Sequence, residues 1–259
     1  MKKMLALLMA TLMLVTALAI PAYAETDMEY VKNKGVLVVG ITDFAPMDYK
    51  DENGEWIGFD ADLAKAFTAY LGVEIELVEI DWDNKILELN GKSIDCVWNG
   101  MTLTDEVKSA METSNAYANN AQVVVLPAAK ANDYADVAAL AALSFAVEAG
   151  SAGEAEVNAL GYTTTPVQSQ AATLLEVKAG TSDAAVIDAL MAAAMVGEGT
   201  DYADLTYTFS LNSEEYGVGF RKGSDLAAAL NEFMATAYAD GSMMAIAENY
   251  GVQAAIIAQ

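Results

Sequence analysis

Histidine is absent from this chain, and cysteine occurs once, at Cys96. The lack of histidine excludes the usual zinc sites and serine–histidine triads. A single cysteine cannot form an intrachain disulfide, so the fold must rest on packing. Cys96 lies in an apolar run and reads as a small buried hydrophobe. Proline is scarce, at four residues, and no low-complexity segment or internal repeat is evident. Basic residues are few: thirteen Lys and Arg stand against 37 Asp and Glu, a formal net charge of −24. Nucleic acid and anionic membrane surfaces are poor partners for such a body. Most of that charge reads as a solvated, solubilising surface.

What is present in quantity is apolar. Hydrophobic residues make up 54% and charged residues 19%, which excludes a disordered chain. The 259 residues suffice for two modest lobes, each with its own core. Residues 1–24 read as a signal peptide. Lys2 and Lys3 start it, Met4 to Ile20 is apolar or small, and Pro21 precedes the A-x-A triplet Ala22-Tyr23-Ala24. Cleavage near Ala24 would leave a periplasmic or extracellular protein. No cysteine follows the cut, so a lipid anchor is not expected, and no later stretch is long and apolar enough to span a bilayer.

Gly35 to Thr42 is a β-branched run that predicts a buried strand. Phe59, Leu63, Ala66, Phe67 and Tyr70 recur at helical spacing, and Gly72 ends that helix. Val73 to Ile80 alternates as a half-exposed strand does, and Ile94 to Trp98 is another strand. This β-α-β order predicts an α/β fold with mostly parallel pairing. A second set follows, with strands at 122–126, 144–147 and 183–187 and helices at 171–178 and from Asp188. Tyr216 to Phe220 is strand-like, and helices close the chain at 225–239 and 243–250. The expected division is lobe 1 at 25–122 plus 216–259 and lobe 2 at 123–215.

Several pieces, in order and spacing, resemble the polar amino-acid solute-binding proteins of ABC importers (solute-binding family 3). They are Phe44-Ala45-Pro46-Met47 with Gly58-Phe59-Asp60-Ala61-Asp62-Leu63-Ala64, Asp81-Trp82-Asp83, the run from Ile94 to Thr104, Gly150-Ser151-Ala152-Gly153-Glu154, the run from Gly180 to Asp188, and the run from Glu215 to Gly223. The resemblance covers nearly the whole chain after residue 24. It implies a periplasmic-binding-protein-like fold: two α/β lobes joined by two crossover strands, with a ligand in the cleft. It implies a monomeric binding subunit that serves ABC permease subunits and uses no cofactor or metal. Its ligand would be a small polar amino acid or a related amine. Thr102 and Ser151 would take the ligand carboxylate, Asp188 would pair the ammonium, and Phe44 and Trp82 would wall the cleft. Glu148 sits just before Ala149-Gly150, where the pocket wall is expected. Read alone, Asp188, Thr102 and Ser151 would be caps or turn residues and the aromatics core.

One position departs from the pattern. The family usually carries an arginine three residues after the threonine corresponding to Thr104, and here that position is Val107. The arginine makes a forked pair with the α-carboxylate, worth roughly ten-fold or more in affinity. Lys108 is one helical step away, about 100° round, and points elsewhere. The one arginine, Arg221, falls in the crossover, outside the expected cleft. Three explanations stay open: a ligand without a carboxylate, a carboxylate held by Thr102 and helix N–H groups, or lost binding. Rival functions are a ligand sensor or adhesion protein of the same fold, and a dehydratase-like enzyme with Glu148 as its acid or base.

Overall fold

The computed structural model describes residues 25–134 and 136–259. The expected signal peptide lies outside the described residues. The first half of the chain forms α1 (Asp27–Lys34), β1 (Val36–Ile41), β2 (Tyr49–Lys50), β3 (Trp56–Ile57), α2 (Phe59–Leu71), β4 (Glu74–Glu79), α3 (Lys85–Asn90), β5 (Cys96–Thr102), α4 (Asp105–Ala110), β6 (Met111–Thr113) and β7 (Ala118–Asn120). The second half forms β8 (Gln122–Pro127), β9 (Ser144–Glu148), α5 (Ala152–Ala159), β10 (Thr163–Val167), α6 (Gln170–Ala179), β11 (Ala184–Asp188), α7 (Ala189–Met195), β12 (Leu205–Ser210), β13 (Glu214–Arg221), α8 (Leu226–Ala239) and α9 (Ser242–Asn249).

Two large sheets organise these elements, beside a two-stranded β2-β3 sheet. One runs β4-β1-β5-β13-β6, with β7 also on β13; the other runs β10-β9-β11-β8-β12. Pairing is parallel where a helix intervenes, as between β1 and β4 or β9 and β11, and antiparallel where β13 and β8 enter. Parallel pairing needs a long crossover, which the helices supply. The chain passes from the first sheet to the second between β7 and β8 and returns between β12 and β13.

On α2, Phe59, Leu63 and Phe67 are fully buried at i, i+4 and i+8, and Gly72 caps the helix in the left-handed conformation at φ 74°. Tyr70, grouped with them by spacing, is 55% exposed. Its ring still lies along Phe67 and Phe233, so it covers the core edge rather than filling it. Asp60, inside the first turn of α2, is buried and accepts hydrogen bonds from Gly100 N (2.6 Å) and Tyr117 Oη (2.8 Å). That pins α2 to the far end of β5. Cys96 is buried and free. Arg221 Nε pairs with Asp27 at 3.0 Å and Nη2 with Asp95 at 3.1 Å, a structural tie behind the sheet.

Candidate functional site

A cavity of about 310 Å³ opens between the two sheets. That is within the range of about 300–1,000 Å³ usual for small-molecule sites. It lies off the carboxyl ends of β5, β9 and β11, where open α/β sheets bind ligands. Phe44, Trp82 and Thr102 line it from the first sheet's side, and Glu148, Ser151 and Asp188 from the second's. Gly100 keeps φ at +52°, and a Cβ there would meet Phe44 Cε1 at 2.5 Å, so only glycine lets the ring sit against β5.

Asp188 ends β11, and its side chain makes no cap bond to α7. Its carboxylate instead accepts hydrogen bonds from Tyr216 Oη at 2.6 Å and from the Asn120 and Gln170 amides. Burial pushes Asp188 up to about 7, and the Glu214 carboxylate adds to the rise, against the hydrogen bonds from Tyr216 and Gln170. Glu148 is 2% exposed, and its Oε1 has no partner among the described residues. Burial drives this carboxyl up to about 8, with Asp188 adding to the rise and Lys85 opposing it. Two carboxyl groups thus sit at one cavity wall, one held in a network and one with a free oxygen.

The two hydroxyl residues expected to take a ligand carboxylate differ in readiness. Ser151 Oγ caps α5 by accepting from Glu154 N at 3.0 Å, so its hydroxyl proton is still available. The Thr102 hydroxyl already donates to Glu214 Oε1 at 2.9 Å. Glu214 also accepts from Gln122 Nε2 at 2.8 Å and Asn120 Nδ2 at 2.6 Å, which binds the crossover to both sheets. Phe44 stands edge-on to Tyr216 with centroids 6.3 Å apart. Val107 is buried among Trp82, Met101 and Met111 while lining the cavity, so no cation occupies the family arginine's place.

The sequence reading missed Lys85, the one cationic side chain among the described residues that line this cavity. Its Nζ lies 5.0 Å from the centre of the Trp82 ring and donates to Trp82 O (3.2 Å) and Gly150 O (2.9 Å). Its spacing offered a signal: three residues after Trp82, it shares that residue's helical face. The segment around it bridges the two sheets' elements. Gln168 Nε2 donates to Asp81 Oδ1 at 2.6 Å, and a Cβ on Gly150, at φ +71°, would meet Asp83 Cα at 2.8 Å.

Residues 37–253 match the bacterial extracellular solute-binding proteins, family 3. This chain belongs to that family. It is 26% identical over 242 residues to the L-cystine-binding protein TcyJ of Escherichia coli K12, covering 92% of this chain and 91% of that one. It is 29% identical over 239 residues to the arginine-binding extracellular protein ArtP of Bacillus subtilis 168, covering 90% and 91%. A histidine-bound ABC uptake transporter substrate-binding protein from Streptococcus pneumoniae superposes with a TM-score of 0.80 at 27% identity, covering 89% of this chain and 98% of that one. As a family 3 binding protein, the chain is the extracytoplasmic subunit that captures a small polar solute for an ABC importer.

Proposed function

We propose that the solute is an amino acid or a related amine, held in this cavity with its ammonium against Asp188 and Glu148. One observation carries the reading. Two buried carboxyl groups stand at one wall of the cavity, and an oxygen of Glu148 has no partner among the described residues. Burial holds the Glu148 proton, with its carboxyl up at about 8, and a bound ammonium would offset the cost of ionising it. Phe44 and Trp82 wall the site, and Ser151 offers its hydroxyl to the ligand's other end. The named relatives bind cystine, arginine and histidine, all amino acids that bear an ammonium. In this reading lobe 1 is 25–122 with 216–259, lobe 2 is 123–215, and they close on the ligand. The protein is exported by residues 1–24, acts as a monomer, docks on permease subunits and catalyses no reaction.

Thermal-shift screening of the chain from residue 25 tests this. The panel is amino acids, their decarboxylated amines and small organic acids. Compounds bearing an ammonium should raise the unfolding temperature, since a ligand bound only to the folded state stabilises it. A shift from organic acids alone would contradict the reading. Consumption of an added compound would favour the dehydratase alternative.

A further inference from the structure

The geometry points to Lys85 as the residue that receives the ligand carboxylate in this chain, in place of an arginine at position 107. This rests on the reading that the ligand is an amino acid. Val107 is packed into the apolar cluster of Trp82, Met101 and Met111, so its place offers no charge. Lys85 lines the same cavity from the turn that carries Trp82. A lysine ammonium has three N–H donors. Two go to neutral carbonyls, Trp82 O and Gly150 O, which leaves one donor uncommitted. Among the described residues no carboxylate lies within ion-pair distance of Nζ. The ammonium is therefore positioned by carbonyl dipoles rather than by a direct ion pair.

The bond to Gly150 O puts the ammonium beside Ser151 and Ala152, where α5 begins and its first N–H groups lack intrahelical acceptors. On the second sheet's side, Glu148 lines the cavity, and one of its buried oxygens has no partner among the described residues. The cavity thus offers one cation and helix N–H groups for a carboxylate, and buried Glu148 and Asp188 for an ammonium, while the exposed Asp105 and Glu106 also line it. Lys85 and the buried pair supply the two poles that a zwitterion needs. Burial also lowers the Lys85 pKa, against the pull of Glu106, Glu148 and Asp83, and a carboxylate ligand would reverse that drop. Because Lys85 comes from the first sheet's side and Gly150 from the second's, the same contact would link carboxylate binding to closure.

Calorimetric titration with ligand pairs differing by one carboxylate tests the assignment: L-arginine with agmatine, L-histidine with histamine, and L-glutamine with 4-aminobutanamide. The unmodified chain should bind the amino acid of a pair more tightly than the amine. Lys85→Met should weaken the amino acid by about ten-fold and leave the amine within about two-fold. Lys85→Arg should keep the preference, and it guards against a folding defect in the methionine variant. An unchanged preference in Lys85→Met would overturn the assignment and leave the amino-acid reading standing. Equal binding of amine and amino acid by the unmodified chain would also overturn it. Binding of neither member of any pair would overturn the amino-acid reading itself, and this assignment with it.

Discussion

Burial pushes the Glu148 carboxyl up to about 8 from its usual 4.5. The folded chain therefore holds that proton more tightly than the unfolded chain does. Its contribution to stability falls as pH rises from about 4.5 to about 8, because ionising it in the fold becomes the cost. Glu148→Gln removes this titration. In the unliganded protein the variant should gain unfolding temperature above pH 8 and show little difference near pH 5, a comparison made by calorimetry. Asp188 differs because its carboxylate serves three donors, from Asn120, Gln170 and Tyr216. Asp188→Ala would strand them and confuse folding with binding. Asp188→Asn keeps the shape and one acceptor, and should cost roughly 2–5 kcal/mol of ligand affinity with a smaller effect on stability. Intact affinity would remove Asp188 from the site. The resemblance pointed to Asp188 by register, and to Glu148 by its place just before Ala149-Gly150. Lys85 stayed hidden because a lysine on a short helix reads as solvated, and only the fold shows Gly150 O at 2.9 Å.

At the scale of elements, the loop from Gly150 into α5 matters most. Gly150 touches Asp83 across the cavity mouth and has a positive φ, so a methyl there meets both strain and a clash. Gly150→Ala should hold the two sides apart and weaken ligand binding at least about ten-fold. Ser151→Ala should cost about 1 kcal/mol of stability through the lost cap. Denaturant unfolding and titration of both variants separate the two effects. Buried elements were legible in the sequence: β1, α2 and β11 match their predicted spans within one or two residues. Strands β10 and β12 were not. They sit at the edges of the second sheet, where Thr163-Thr164-Thr165-Pro166-Val167 needs no apolar alternation and Pro166 is tolerated. Predicted strand 94–98 in fact starts at Cys96 and runs to Thr102, since β13 pairs along that extension.

For the molecule as a whole, the two sheets meet through the Glu214 network at the crossovers and through the Trp82–Lys85 turn at the mouth. The first reads as the hinge and the second as the closing contact, so small-angle scattering should show a smaller radius once ligand is present. An unchanged radius at saturation would count against hinge closure. Cation affinity should also fall with acidification. Asp188 is held near 7 and Glu148 near 8, so both lose charge as pH drops below those values, and an ammonium then loses its partners. In the proposed site these two buried carboxyl groups hold a ligand ammonium. Calorimetric titration of the Glu148→Gln/Asp188→Asn double variant tests it most directly, with the strongest ligand from the thermal-shift screen and the unmodified chain alongside. The double variant should lose measurable binding while still unfolding cooperatively. Binding within about two-fold of the unmodified chain would contradict it.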